Sequence, residues 1–248
     1  MPNLRIERDG DVLRVTLARP DRRNAFDAEL IAELASAFVD VGRARAVVLA
    51  GEGPSFCAGA DVEWMRSSID LTYDENVADA LALRRMLESI DGCSAPVICP
   101  VQGHALGGGA GLVACADVVI AAPDAVFAFS ETKLGIVPAV ISPFALAKIG
   151  PSWARRLFPT GERFGAELAQ RIGLVHELAD DLDAAVERVL AELRSAGPRA
   201  ARAAKRLVLD APLDGLETAR RIAERRTSDE GQEGLRAFLE RRRPDWSG

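Results

Sequence analysis

Short apolar segments alternate with amphipathic segments along much of the chain, and this alternation restricts the fold more than any single motif. The runs AVVLAG, APVICPVQG and DVVIAA are apolar and bounded by glycine, proline or polar residues, as buried strands usually are. Residues 74–91 lie between two of them and have the periodicity of a helix. We therefore predict an α/β fold in which parallel strands and helices follow one another in successive coils.

The two ends of the chain depart from this alternation. The segments LRIERD and VLRVTLA flank a Gly-Asp pair and predict a β-hairpin, and Asp27 is placed to cap a helix over AELIAELASAFVDV. From about residue 150 onward the pattern is nearly all helical, apart from GLVHEL. We place the strand-and-helix core at residues 1–195 and a helical region at 196–248. The short amphipathic helices of that region need an apolar partner surface, on the core or on another subunit.

Composition and charge exclude several classes of protein. Apolar residues make up 48% of the 248 residues and charged residues 27%, which is typical of a globular protein with a sizeable core. The net charge of −6 argues against a general nucleic-acid surface. Because the N-terminus lacks an apolar signal-peptide region and no run of about 18 apolar residues occurs, we expect a soluble cytoplasmic protein without a membrane partner.

The cysteines and histidines do not form a metal-binding pattern. The four cysteines, at positions 57, 93, 99 and 115, include no C-x-x-C pair, and the histidines at 104 and 176 have no metal-ligand spacing from them. We predict buried thiols and no metal site. A catalytic cysteine–histidine pair stays compatible with the sequence, because such partners meet only in space, although nothing marks an activated thiol.

The segment GHALGGGAGLVACADVVIAA, residues 103–122, has three consecutive glycines and a further one, Gly111, one helical turn later. A helix that begins among glycines lets a ligand approach its unpaired N–H groups and the positive end of its dipole. The segment has neither the lysine and serine of a P-loop nor a dinucleotide-binding context. It therefore predicts an oxyanion site, although close packing of a helix on a strand is the commoner explanation when such glycines stand alone.

Two further segments strengthen the prediction of a catalytic site. FCAGAD provides a second glycine turn after a buried strand, and FSETKLGIVP places Glu131 among apolar neighbours, which should raise the pKa of its carboxyl group. Backbone donors can stabilise an enolate oxygen while a carboxyl group moves a proton at the adjacent carbon. The alternative is that Glu131 caps a helix or pairs with Lys133 or an arginine.

Five motifs together resemble a known family. RPDRRNAFD, GEGPSFCAGADVEWM, PVQGHALGGGAGLVACADVVIAA, FSETKLGIVPAV and FLERRRPDW are similar, in this order and over almost the whole chain, to the enoyl-CoA hydratase/isomerase (crotonase) family. The resemblance implies a spiral of β-β-α turns and a helical C-terminal region that builds homotrimers, often paired into hexamers. It also implies acyl-CoA substrates, in which coenzyme A is part of the substrate and no separate cofactor is needed.

The resemblance also assigns roles to residues. The N–H groups of Ala60 and Gly108 would form the oxyanion hole, and Glu131 would be the acid/base. The resemblance also implies that the backbone from Ala58 to Asp61 binds the adenine of coenzyme A. It implies that the phosphates of coenzyme A lie near Arg22 and Arg23, although a solvated turn explains these arginines equally well. The candidates for the acyl pocket, which are equally good core residues, are Trp64, Met65, Val137 and Phe144.

Gly111 is a departure from the family pattern. Typical hydratases of the family carry two glutamates, and the first falls on Gly111 here, so that only Glu131 remains. Because Gly108 and Gly111 share a helix face, we expect Gly111 to leave space over the reacting carbons for a branched acyl group or for water.

With one carboxyl group, three activities remain open. We favour hydration of an enoyl-CoA, because SETKLGIVPAVISPFALAKIG resembles hydratases that act on branched or carboxylated substrates such as methylglutaconyl-CoA. A Δ3,Δ2-enoyl-CoA isomerase is the alternative, since one base can remove and return a proton. A non-catalytic acyl-CoA-binding or scaffolding trimer is the alternative of another class.

Overall fold

The N-terminal hairpin begins a six-stranded sheet. The computed structural model describes residues 3–247. Strands β1 (Leu4–Asp9) and β2 (Val12–Leu17) pair antiparallel on either side of a turn at Gly10, which has a φ of +58°. The other strands of this sheet are β3 (Ala46–Gly51), β4 (Val97–Val101), β6 (Val118–Ala121) and β9 (Glu177–Leu178). They add in parallel in the order β1-β2-β3-β4-β6-β9, which confirms the hairpin and the parallel arrangement.

A second, smaller sheet carries the chain into the glycine segment. It consists of β5 (His104–Leu106), β7 (Val126–Ala128) and β8 (Phe164–Gly165). Strands β5 and β7 are parallel, and Leu106 lies opposite Ala128. The residues that follow these two strands therefore leave the sheet side by side.

Helices cover both faces of the six-stranded sheet. On one face lie α1 (Ala28–Val39), α3 (Tyr73–Asp91) and the buried α4 (Gly108–Cys115). The side chain of Asp27 accepts a hydrogen bond from the Leu30 N–H and so caps α1 as predicted. On the other face, Val48 and Ile98 of the sheet pack with residues of α7 (Leu182–Ser195). The remaining helices before α7 are α2 (Val62–Ser67), α5 (Ser142–Thr160) and α6 (Ala166–Arg171).

The cysteines are core residues. All four are free and buried, as predicted. Burial raises the pKa of Cys57 to about 12, so its thiol is not ionised at neutral pH. His104 is hydrogen-bonded to Ser55, with 3.2 Å between its Nδ1 and the serine Oγ.

Three C-terminal helices leave part of their apolar surface uncovered. They are α8 (Pro198–Leu209), α9 (Gly215–Thr227) and α10 (Asp229–Glu240). Lys205 anchors α8 to the core through an ion pair of 2.7 Å with Asp117. Phe238 and Leu239 on α10 remain 81% and 78% exposed, so the partner surface expected for these helices is only partly supplied by the core. Within residues 3–247, no helix has the length and apolar character needed to span a membrane.

Candidate active site

Two glycine-containing loops lie in direct contact. The Leu106 N–H donates to the Cys57 carbonyl at 3.0 Å, and the Cys57 N–H donates to the His104 carbonyl at 2.9 Å. At Gly109, an added Cβ would lie 2.3 Å from the Cys57 carbonyl oxygen, which is a severe clash. Gly59 has a φ of +94°, and its Cβ would lie 2.7 Å from the Leu106 oxygen. The glycines are therefore required because two backbone segments approach each other too closely for side chains.

The contact of the loops leaves two backbone donors without partners. In residues 3–247, neither the Ala60 N–H nor the Gly108 N–H donates a hydrogen bond. Gly108 is the first residue of α4, so its N–H has no acceptor within the helix and lies at the positive end of the helix dipole. A Cβ on Gly59, the neighbour of Ala60, would be 3.8 Å from the Gly108 nitrogen. The two donors are therefore close enough to serve one acceptor atom.

Glu131 lies beside these donors because of the parallel pairing of β5 and β7. The chain leaves β5 at Gly107 and leaves β7 towards a 3₁₀ turn at Glu131–Leu134, and the Gly107 N–H donates to the Ala128 carbonyl at 2.8 Å. An ideal Cβ at Gly107 would lie 3.5 Å from Glu131 Oε1, an ordinary contact distance. The carboxyl group is thus held at the N-terminus of α4.

One oxygen of the Glu131 carboxyl group is left unpaired. Its Oε2 is buried and has no hydrogen-bond partner in the described part of the chain. Burial raises the pKa of Glu131, and a hydrogen bond from its own backbone N–H offsets part of that rise. Neither Lys133 nor an arginine of residues 3–247 forms an ion pair with it, which argues against the alternative of a structural ion pair.

One cavity brings most of the predicted site residues together. It has a volume of about 490 Å³, within the range usual for sites that bind small molecules. Its lining includes the predicted residues Ala58, Ala60, Trp64, Met65, Gly108, Glu131 and Val137. Phe144, considered with them for the acyl pocket, is instead buried in the core and faces Arg84. The cavity therefore combines two unpaired donors, one unpaired carboxyl group and an apolar wall.

The prediction of open space beside Gly111 is wrong. Gly111 is buried and is not part of the cavity wall. An added Cβ would lie 2.5 Å from Ile141 Cγ2 and 3.8 Å from Leu87 Cδ2. The side chain of Ile141 therefore fills the space in which we expected a branched acyl group or water.

Known proteins match this chain over nearly its whole length. The family described as Enoyl-CoA hydratase/isomerase matches residues 7–248. This chain belongs to the enoyl-CoA hydratase/isomerase family. The resemblance seen in its motifs is therefore confirmed, and so is the expectation that its family is one of enzymes.

Individual members of the family support the same conclusion. Cyclohexa-1,5-dienecarbonyl-CoA hydratase from Thauera aromatica is 34% identical over 97% of this chain and 95% of its own length. The crystal structure of an enoyl-CoA hydratase from Shewanella pealeana, 39% identical, matches with a TM-score of 0.94 over 99% of this chain and 96% of that one. Pseudomonas aeruginosa AtuE, 38% identical, matches with a TM-score of 0.95 over the full length of both chains. These likenesses confirm the crotonase fold.

In this member of the hydratase/isomerase family, three of the residues expected on the coenzyme A side, Arg22, Arg23 and Asp61, lie outside the cavity, whereas Ala58 and Ala60 line it. Asp61 is 5% exposed, caps α2 through the Glu63 N–H and pairs with Arg22 at 3.0 Å. Burial alone would raise the pKa of Asp61, but the hydrogen bonds from Glu63 and Arg22 lower it below its ordinary value. Arg23 is exposed, and its carbonyl accepts a hydrogen bond from the Ala58 N–H. The Asp61 carboxylate is therefore committed to local structure.

The cavity also contains residues that the motifs did not indicate. One face of α3 contributes Asn76, Asp79, Ala80 and Leu83. Their spacing of three and four residues is the signal that could have identified them, because it places them on one side of a helix. Phe26 lines the cavity too, and its ring lies so close to Gly108 that an added Cβ there would be 2.2 Å from Cζ.

Proposed function

We propose that this chain is an enoyl-CoA hydratase that adds water across the 2,3 double bond of an enoyl-CoA thioester. One observation carries the proposal: two backbone N–H groups without acceptors line the same cavity as a carboxyl group that has one buried, unpaired oxygen. The N–H groups of Ala60 and Gly108 hold the thioester oxygen, and Glu131 is the acid/base.

The two donors act on charge that develops during the reaction. When the oxygen of water bonds to C3, the electrons of the double bond shift towards the thioester, and its oxygen becomes an enolate oxygen. The Ala60 and Gly108 N–H groups and the N-terminus of α4 stabilise this negative charge. Because these groups are fixed in the backbone, they need no rearrangement during the reaction.

Glu131 transfers the proton. As a carboxylate it accepts a proton from the attacking water, and as a carboxylic acid it then donates that proton to C2 of the enolate. The product is a 3-hydroxyacyl thioester, and Glu131 returns to its ionised form. Because burial raises its pKa, its conjugate acid is matched to proton exchange nearer neutral pH than an ordinary glutamate is.

Isomerisation is the second candidate. Ile141 places an apolar side chain where a second glutamate would be expected, so no second carboxyl group stands at Gly111 to hold water. The same donors and Glu131 could then move a proton from C2 to C4 of a 3-enoyl thioester, with a dienolate between the two steps and no water consumed.

The remaining expectations concern the substrate and the assembly. The carbonyls of Ala58 and Ala60 accept no hydrogen bond in residues 3–247, which supports adenine binding at this loop, with Arg22 and Arg23 towards the phosphates. The exposed apolar side chains of α10 support assembly of residues 196–248 into a homotrimer or a dimer of trimers. A branched or carboxylated acyl group, as in methylglutaconyl-CoA, stays a prediction.

The test measures crotonyl-CoA hydration and 3-enoyl-CoA isomerisation by the wild type and by Glu131→Gln. The variant keeps the size of the side chain and removes the base, so the favoured activity should fall by about 10²- to 10⁴-fold. Glu162→Gln is the matched control, because Glu162 is paired with Arg156 outside the cavity.

Three outcomes separate the candidates. Loss of hydration in Glu131→Gln alone supports the proposal, and a wild type that isomerises without hydrating supports the second candidate. If no enoyl-CoA of a broad panel is converted, the non-catalytic acyl-CoA-binding trimer gains support. If Glu131→Gln is as active as an active wild type, Glu131 is not the acid/base.

A further inference from the structure

A second carboxyl group, that of Asp79, lines the cavity at a distance from the reacting carbons. Asp79 lies on the α3 face that also contributes Asn76 and Leu83 to the wall. Further along the same helix, Leu87 lies near Gly111, one helical turn from the Gly108 donor. Leu87 and Asp79 are eight residues apart, which corresponds to about 12 Å along a helix axis. With the thioester at Ala60 and Gly108, we therefore place Asp79 beside the part of the acyl chain beyond the double bond.

Contacts that begin at the donor loop hold Asp79 in this position. The ring of Phe26 packs over Gly108, and its centroid is 6.0 Å from that of Trp64. The Trp64 side chain in turn lies near the Asp79 carboxyl group. Burial raises the pKa of Asp79, and the nearby Trp64 side chain offsets part of the rise. No cation in the described residues forms an ion pair with Asp79.

The surroundings of Asp79 define what it can bind. A carboxylate only accepts hydrogen bonds, so its complement is a donor such as a hydroxyl group, and a second carboxylate is repelled. Ala80, Leu83 and Met65 line the same region and offer no charge that would compensate such repulsion. Lys133 also lines the cavity, but it is exposed, and its stem lies against Gly161, with Cγ 3.2 Å from a Cβ built there. Its ammonium group therefore belongs to the solvent side of the cavity.

We propose that Asp79 is a specificity-determining residue that selects acyl chains carrying a hydroxyl group beyond the double bond and rejects chains that end in a carboxylate at that depth. The inference rests on the proposed function, because it takes the thioester to lie at Ala60 and Gly108. It favours a hydroxylated over a carboxylated substrate.

The experiment compares 2-enoyl-CoA thioesters in sets of equal chain length that end in a methyl, a hydroxymethyl or a carboxylate group. At the chain length that reaches Asp79, the wild type should show about tenfold higher kcat/KM for the hydroxymethyl than for the methyl end. The carboxylate end should be the poorest. In Asp79→Asn the carboxylate end should improve by about tenfold relative to the methyl end, because the repulsion is removed.

Asp74→Asn is the matched control. It removes the same charge from the first turn of α3, at an exposed position that does not line the cavity, and should leave all three ratios unchanged. Equal ratios in Asp79→Asn and the wild type would overturn the proposal. So would a wild type that prefers the carboxylate end, a result that does not depend on the variant folding. Failure of the wild type on every enoyl-CoA, crotonyl-CoA included, would instead refute the proposed function.

Discussion

Two carboxyl groups next to the glycine loops differ in their hydrogen-bond partners and in the direction of their pKa shifts. Asp61 ends the segment FCAGAD. Its carboxylate accepts a hydrogen bond from the Glu63 N–H and pairs with Arg22 at 3.0 Å and with Arg19 at 3.4 Å. Glu131 follows β7 and has an oxygen with no partner. The pKa of Asp61 is lowered and that of Glu131 is raised. The difference shows that the fold satisfies the carboxyl group that holds a helix and leaves unsatisfied the one available for proton transfer.

The largest effect should come from exchanging each carboxyl group for its amide. Glu131→Gln should lose about 10²- to 10⁴-fold in kcat while its thermal stability is kept or raised, because an unpaired buried charge is removed. Asp61→Asn should lose stability, by about 1–2 kcal/mol, because Arg19 and Arg22 lose a charged partner. Activity assays and urea denaturation of both variants check the prediction. Equal stability losses in the two variants would contradict it.

The residue that fills the space beside Gly111 gives the next effect. Ile141→Ala should destabilise the protein by about 2–4 kcal/mol, because it opens a cavity in the core. Gly111→Ala should cost about 1–3 kcal/mol through its contact with Ile141. In the double variant the added methyl group has room, so the total loss in the free energy of unfolding should be smaller than the sum of the losses in the two single variants. A double-mutant cycle from urea denaturation measures this coupling, and strict additivity would show that Ile141 can move aside without cost.

The pH dependence of stability should have opposite signs at the two carboxyl groups. For Glu131, the pKa in the folded state is raised above its ordinary value of 4.5. Its contribution to the free energy of unfolding is therefore present at low pH and is lost as pH rises through and above that value. For Asp61, the contribution is present above its ordinary pKa of 3.8 and is lost as pH falls below it. Free energies of unfolding across pH 3 to 7, compared with Glu131→Gln and Asp61→Asn, separate the two. The same slope for both would contradict the assigned shifts.

The smallest effect should come from Arg22→Gln. Arg22 is about half exposed, and solvent screens its pairing with Asp61, so only a small fall in melting temperature is expected. If its free hydrogen-bonding capacity also serves the phosphates of coenzyme A, KM should rise severalfold with kcat unchanged. Glu63→Gln is a control for the local ion pair, since Glu63 is also bonded to Arg22 and is exposed. An unchanged KM in Arg22→Gln would leave Arg22 with a structural role alone.

The motifs located the proposed catalytic residues because each of them belongs to a short segment. Gly108 and Glu131 lie within three residues of the ends of β5 and β7, and the parallel pairing of these strands brings the two segments together. Ala60 lies in the loop between β3 and α2. The alternation of strands and helices also predicted the sheet. The motifs and the alternation could be predicted because they depend on residues that are close in sequence and on the way in which successive strands pair in a parallel sheet.

The contents of the cavity could not be predicted in the same way. Gly111 is 30 residues from Ile141, and which side chain fills a glycine's space is decided by tertiary packing. Asp79 lies in a helix whose polar residues look like an ordinary solvated face, and only its contact with Trp64 and the cavity distinguishes it. Arg22 has a partner 39 residues away in Asp61, which local pattern does not specify.

The approach of Gly109 to the Cys57 carbonyl limits how a chain of this kind can change. No side chain fits between the two glycine loops at Gly109 or Gly59, so substitution at these glycines cannot adjust the spacing of the proposed oxyanion donors. Positions such as 79, 111 and 141 line or support the walls, and they can be exchanged while that spacing stays as it is. A designer seeking a new reaction in this scaffold would therefore keep the loops and rebuild the surrounding side chains.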